Sequence, residues 1–309
     1  MSYEPENTWH QYCLEFKPED LEPAITEDYV ESNGNKIHLD IYGADEDLEW
    51  SIMFIHGTGM YSRFYTEFLW SFYKKGFRMI GIDLPGHGLS EGKRGHFTMD
   101  FLVSTVHDIT THVIDKFGEN VILAGSSLGG FTSLYAISND DRIKVRVLNN
   151  AAILNEKAHK KIVKLKGIYK ALRPLMPVFA RILPTFRLSV WIYLNIENLV
   201  YNKDLLPIFE KFIKNDRLVA DKYTLKSLLT QMKAPLPKPI EGIETPILII
   251  NGDDDVLFSV EYMEEIIERL ESSKNKKLEI IPNSAHLIFH EKRDESIDII
   301  VKWLKGVLT

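Results

Sequence analysis

From residue 27 the chain alternates polar and apolar positions, Glu27-Asp28-Tyr29-Val30-Glu31-Ser32 and Lys36-Ile37-His38-Leu39-Asp40-Ile41-Tyr42, on either side of Asn33-Gly34-Asn35. A period of two with a turn glycine free to take positive φ predicts an antiparallel hairpin. The next apolar run, Ser51-Ile-Met-Phe-Ile-His56, is unbroken, as for a strand buried on both faces, and a loop with two glycines, His56-Gly57-Thr58-Gly59, follows it. Ser62 to Lys75 carries apolar residues at helical spacing and stops at Gly76, before a strand at Arg78–Asp83. A helix from about Met99 to Phe117 ends at Gly118, a strand begins at Val121, a helix runs to about Ser138, and a strand covers Lys144–Asn149. Short apolar strands separated by helices predict a parallel sheet covered on both faces through right-handed crossovers.

That alternation breaks between residues 152 and 240, where the pattern is helical and punctuated by seven prolines, Pro174, Pro177, Pro184, Pro207, Pro235, Pro237 and Pro239. It resumes with strands at Pro246–Asn251 and Lys277–Ile281 and helices at Ser259–Leu270 and Arg293–Leu304. The chain therefore divides into an irregular, acidic lead-in (1–24), an α/β core (25–151 and 241–309) and an inserted, all-helical cap or lid (152–240).

Charge changes this picture in one place. The chain as a whole is acidic, at −7, which argues against nucleic-acid binding. The insert, however, holds seventeen Lys and Arg against six Asp and Glu. Its first half, Lys160-Lys-Ile-Val-Lys-Leu-Lys-Gly-Ile-Tyr-Lys170 through Trp191-Ile-Tyr-Leu194, mixes lysines with large apolar residues. A cap helix needs one apolar and one polar face, which accounts for such a mixture; the excess of positive charge adds the expectation of peripheral contact with an anionic membrane. The acidic N-terminus lacks the marks of a signal peptide, no apolar run is long enough to span a bilayer, and the one cysteine, Cys13, fits a reducing compartment. A soluble, cytoplasmic protein is expected.

The chemistry begins at Gly125-Ser126-Ser127-Leu128-Gly129, a G-x-S-x-G between a strand and a helix. Glycines flank such a serine because the sharp turn brings backbone too close for side chains, and the turn pushes Ser127 into the open. Ligands in open α/β sheets bind beyond the carboxyl ends of the strands. The loops there supply His56-Gly57-Thr58, Ser127, an aspartate from Asp253-Asp254-Asp255, and His286. A serine becomes a nucleophile when a histidine takes its proton and a carboxylate fixes that histidine's tautomer. Backbone N–H groups of Leu128 and Thr58 would form the oxyanion hole. There is no H-E-x-x-H, no cysteine-rich zinc site and no complete phosphate-binding loop, so neither metal nor cofactor is expected.

These residues resemble the α/β-hydrolase superfamily, and within it the monoacylglycerol lipase and lysophospholipase branch. The resemblance rests on His56-Gly-Thr-Gly59, Asp83-Leu-Pro-Gly-His-Gly-Leu-Ser-Glu-Gly92, Gly125-Ser-Ser-Leu-Gly-Gly130, Gly252-Asp-Asp-Asp255 and Ser284-Ala-His286. It covers the chain from about residue 27, the insert matching only in position and helical character. Ser126 and Ala285 depart from the common pattern, and both bear on the shape of the pocket. The resemblance implies a mostly parallel eight-stranded sheet with helices on both faces and an inserted helical lid. It also implies the acid three residues after Gly252, selecting Asp255, and a triad Ser127, Asp255, His286. The activity implied is hydrolysis of a carboxylic ester, a monoacylglycerol or lysophospholipid, through an acyl-enzyme. Peptidase, amidase or C–C hydrolase chemistry would use the same triad, and a non-catalytic protein binding a ligand under its lid is the alternative of another class. His290 is a second candidate base; His56, His87 and Asp83 read as supports of their turns.

Overall fold

The computed structural model describes residues 5–138, 140–155, 175–192 and 194–308. Eight strands form one sheet in the order β1-β2-β4-β3-β5-β6-β9-β10. β1 (Ile25–Ser32) and β2 (Asn35–Tyr42) are the hairpin, with Asn33 and Gly34 at positive φ in its turn. β2 also runs antiparallel to β4 (Arg78–Ile82). The remaining pairs, through β3 (Ser51–Ile55), β5 (Val121–Ser126), β6 (Val145–Asn149), β9 (Ile247–Gly252) and β10 (Lys276–Ile281), are parallel.

Successive residues of a strand point to opposite faces, and β3 divides its side chains accordingly. Met53 and Ile55 enter one apolar core, Ile52 and Phe54 the other. The first core is closed by helices Met99–Phe117, Leu128–Ile137 and Val260–Arg269, the second by Thr66–Tyr73 and Arg293–Val307. Two cores, one per face, are why the central strands read as unbroken apolar runs. The ends of the helix Met99–Phe117 follow from single residues: Thr98 Oγ1 accepts from the N–H of Phe101 at 3.2 Å, and Gly118 takes φ 96° where the chain turns away.

The lead-in is more ordered than its sequence suggests. It forms a 3-10 helix (Pro5–Tyr12) and a helical turn (Pro18–Leu21), and buries Trp9, Tyr12 and Leu21 in the second core. The insert between β6 and β9 carries helices Met176–Ile182, Leu206–Asn215 and Leu225–Lys233. It is not all-helical: β7 (Arg187–Ser189) pairs antiparallel with β8 (Lys222–Thr224). Strands of three residues are too short to display a period of two, so the pattern could not reveal them. Buried Asp216 of the insert accepts from Tyr12 Oη at 2.5 Å and Tyr61 Oη at 2.6 Å, tying the insert to the lead-in and to the chain after β3. The lysine-rich stretch Lys160–Lys170 lies outside the described residues. No described helix is long and apolar enough to cross a membrane.

Candidate active site

β3 lies between β4 and β5, so the winding of the chain reverses direction between β3 and β5. A crevice opens at such a switch point, beyond the carboxyl ends of the strands. The loop after β3 holds Gly57-Thr58-Gly59, and the residue after β5 is Ser127.

Ser127 has φ 54° and ψ −111°, a left-handed conformation that costs a non-glycine residue on the order of 1–3 kcal/mol. Its surroundings impose it. The N–H of Ser127 donates to the carbonyl of Asn149 at 2.9 Å, and the helix Leu128–Ile137 begins at the next residue. A Cβ on Gly129 would stand 2.0 Å from the carbonyl oxygen of Ile55, and one on Gly125 2.3 Å from that of Gly129. Only glycine fits at either position, so the G-x-S-x-G frame is a steric requirement of the turn. Ser126 Oγ donates to Asn149 Oδ1 at 2.8 Å in the interior, which leaves Ser127 as the serine that faces the crevice.

Asp255 is buried after β9, whereas Asp253 and Asp254 are exposed. Its Oδ1 accepts from the N–H groups of Leu257 (2.8 Å) and Phe258 (3.0 Å). Its Oδ2 accepts from His286 Nδ1 (2.8 Å) and Asn150 Nδ2 (3.1 Å). Four donors thus fix the carboxylate, and the ring of Phe258 stacks on His286 at 5.6 Å between centroids and 11° between planes. With Nδ1 committed to Asp255, the imidazole has Nε2 to offer. Ser127, His286, Gly57 and Thr58 line one cavity of about 40 Å³, whose other walls are apolar and include Trp191, Leu194 and Ile213 from the insert.

The loop after β3 leaves one amide unengaged. The N–H of Gly57 donates to Tyr65 Oη (3.2 Å) and that of Gly59 to Tyr223 Oη (2.7 Å), while the carbonyl of Gly59 accepts from Ala220 N at 2.8 Å. Among the described residues nothing accepts from the N–H of Thr58, nor from that of Leu128, the first residue of its helix. Both lie next to the cavity, one in its wall and the other directly after Ser127.

The remaining histidines are held elsewhere. His56 donates from Nδ1 to the carbonyl of Gly57 and accepts from Leu84 N at Nε2, and burial lowers its pKa. His87 donates from Nδ1 to the carbonyl of Pro85 and accepts from Tyr223 Oη at Nε2; burial and the neighbouring His56 keep its pKa well below the usual imidazole range. Asp83 accepts from Ser62 N (2.7 Å) and Leu89 N (2.8 Å), bracing the Pro85–Gly88 turn. His290 donates from Nε2 to the carbonyl of Phe64 and lines a different cavity. Asn150, Phe258, Tyr65 and Tyr223 escaped the reading of the sequence. Asn150 acts across strands and Tyr223 from the insert, whereas Tyr65 and Phe258 lie eight and three residues from Gly57 and Asp255, in stretches that no motif marks; the Asn149-Asn150 pair at the end of β6 is the one hint, asparagine being a residue that tolerates the positive φ, 70°, found at Asn150.

Comparison with known proteins agrees with this fold. Residues 46–293 match the family model Hydrolase_4, described as serine aminopeptidase, S33. An uncharacterized abhydrolase domain-containing protein of Dictyostelium discoideum is 24% identical over 262 residues, which are 82% of this chain and only 26% of that protein. A monoacylglycerol lipase of Mycolicibacterium smegmatis is 21% identical over 88% of this chain and 93% of its own. The crystal structure of Paleococcus ferrophilus monoacylglycerol lipase superposes with a TM-score of 0.69 at 25% identity, over 91% of this chain and 98% of its own. The chain belongs to the serine aminopeptidase S33 family of α/β-hydrolases, on the side of that superfamily where its motifs put it, among proteins similar to monoacylglycerol lipases.

Proposed function

We propose that the protein hydrolyses carboxylic esters through an acyl-enzyme, with a monoacylglycerol or lysophospholipid as substrate. One observation carries this reading: Ser127, held in a strained turn, shares an apolar cavity with His286, whose other nitrogen is bound to the buried Asp255. In the first step His286 Nε2 takes the hydroxyl proton as Ser127 Oγ attacks the ester carbon. Asp255 holds the Nδ1–H tautomer and stabilises the imidazolium, and the free amides of Thr58 and Leu128 receive the oxyanion. The alcohol leaves with the proton from His286; water then repeats the sequence on the acyl-enzyme. The insert serves as a cap, supported by its apolar side chains in the cavity wall.

The family's description favours a second reading, an aminopeptidase. Such an enzyme needs an anion to hold the substrate's ammonium group, and among the described residues lining the cavity of Ser127 none carries a carboxylate; Glu15, Glu67 and Glu291 line the adjoining cavity, where they are engaged by Arg293 or by backbone N–H groups. Rates on a panel of monoacylglycerols, lysophospholipids and aminoacyl amides test the choice: the esters should be preferred, and faster cleavage of the amides would reverse it.

Contact with an anionic membrane is part of the same proposal. Val178, Ile182, Leu183 and Phe186 stand exposed on the insert beside Arg181 and Arg187. Sedimentation with anionic vesicles that weakens as salt rises is expected, and no binding at low salt would refute it.

A further inference from the structure

The cavity in front of Ser127, at about 40 Å³, falls far short of the roughly 300–1,000 Å³ usual for ligand sites. A long acyl chain needs more room than it gives. Phe64 and Tyr65 form part of its wall, and the same two residues line a second cavity of about 390 Å³. That chamber lies between the lead-in, the helix Thr66–Tyr73, the helix Leu206–Asn215 of the insert and the chain just after His286.

Its walls combine an aromatic and aliphatic part, with Phe68, Ile208, Phe212 and Phe289, and a polar part of about equal extent, with Glu15, Glu67, Asn202, Glu291 and Arg293. The charged groups around it are already paired, and the one buried polar atom of its lining without a partner among the described residues is Nδ1 of His290. Glu67 Oε1 accepts from the N–H groups of Glu15 and Phe16, Glu291 Oε1 accepts from those of Tyr201 and Asn202, and Arg293 pairs with Glu15 and Glu67. His290 is neutral, its pKa pushed down to about 4 by burial. Among the described lining residues three carboxylates, Glu15, Glu67 and Glu291, face one paired guanidinium, Arg293, so the chamber disfavours a carboxylate or phosphate and offers its apolar part to an uncharged group. Phe68, Ile208, Phe212 and Phe289 are the surface on which an uncharged aliphatic chain would lie.

Phe64 stands at the partition. Its carbonyl is anchored by His290 Nε2 at 3.0 Å, while its ring sits among aromatic neighbours, 5.2 Å from Tyr12, 5.8 Å from Phe209 and 4.3 Å from His290 between centroids. Because Phe64 lines both cavities, a change in its side chain alters the wall between them.

We propose that the chamber behind Phe64 receives the acyl chain of a long-chain substrate, and that Phe64 sets the chain length accepted. This rests on the ester-hydrolase reading. The test is the ratio of kcat/KM on p-nitrophenyl laurate to that on p-nitrophenyl acetate. Ile208→Trp, which fills the chamber, should lower the ratio by about tenfold or more, and Phe64→Ala should raise it by a similar factor. Phe64→Leu, a milder change, should raise it by less. A ratio unmoved in folded Ile208→Trp protein would overturn the proposal. Calorimetric titration of 1-decanol into Ser127→Ala protein separates the two claims. Binding that Ile208→Trp abolishes, in a protein that cleaves neither ester, leaves the chamber standing and removes the ester-hydrolase reading. Cleavage of the acetate with an unmoved ratio and no decanol binding removes the chamber alone.

Discussion

Two buried Asp–His pairs of the same construction sit at opposite ends of the loop region. His286 Nδ1 meets Asp255 Oδ2 at 2.8 Å, and His38 Nδ1 meets Asp83 Oδ2 at 3.0 Å. In both, backbone N–H groups also hold the carboxylate: Leu257 and Phe258 donate to Oδ1 of Asp255, Ser62 to Oδ1 of Asp83 and Leu89 to its Oδ2 beside His38. What differs is the view from the second ring nitrogen. His286 lines the cavity that contains Ser127, whose hydroxyl is unengaged among the described residues. His38 is enclosed, with Asp40 Oδ1 at 3.5 Å and Glu27 Oε2 at 3.8 Å from its Nε2, and Arg63 bridging those two carboxylates. The serines near it are spent: Ser62 Oγ donates to Asp40 and Ser90 Oγ to the carbonyl of Asp83. An Asp–His pair alone is therefore a structural strut. It becomes a candidate base when the fold leaves its second nitrogen to a cavity shared with a strained serine whose hydroxyl has no other partner.

Exchanging the two pairs by mutation should give opposite outcomes. His286→Ala or Asp255→Asn should cut kcat on an ester by about 10⁴-fold while the melting temperature moves little. Asp83→Asn should do the reverse, lowering stability by about 3–5 kcal/mol in denaturant titration because it breaks a buried charged network, with kcat of the folded protein within a few-fold of wild type. The serine's turn is the other half of the contrast. Gly129→Ala forces a Cβ against the Ile55 carbonyl and should cost at least about 1–3 kcal/mol in thermal unfolding, with activity lost as the turn yields. Asn150→Ala removes one of four donors to Asp255 and should reduce kcat by about fivefold, a loss of about 1 kcal/mol in the transition state.

The smallest effect concerns pH. Burial disfavours the His38 imidazolium, but Asp40 and Asp83 outweigh it and raise the pKa above the ordinary 6.5. A raised pKa means that the stabilisation is fully present below about 6.5 and is lost as pH rises through the folded-state value. Asp83, by contrast, is lowered: burial works against the carboxylate, the bond to His38 prevails, and its contribution is lost as pH falls through that depressed value. His38→Gln should accordingly destabilise the protein more at pH 6 than at pH 9. Equal losses at both would show that the charge on His38 contributes nothing.

Local patterns carried most of the core. The alternation around Asn33-Gly34, the continuous runs of β3 and β5 and the Gly118 end of the helix Met99–Phe117 are properties of a few neighbouring residues, and each was legible. So was the G-x-S-x-G turn, because its glycines answer to sterics within the turn and against β3. Choosing Asp255 from three adjacent aspartates needed the family resemblance; in space burial separates them at once. What stayed hidden depends on distant chain meeting: Asn150 beside Asp255 across β6 and β9, Tyr223 reaching Gly59, Asp216 collecting Tyr12 and Tyr61. The three-residue strands of the insert were hidden for a different reason, having too few positions to show a period.

The central claim is that the pair at His286 activates Ser127 and the pair at His38 activates nothing. Reacting the wild-type protein with a fluorophosphonate and mapping the adduct by peptide mass spectrometry tests it most directly. A single adduct on Ser127, absent from Ser127→Ala and strongly slowed in His286→Ala but not in Ser126→Ala, is the expected result. An adduct on Ser126, Ser62 or Ser90, or no adduct on the folded protein, would contradict it.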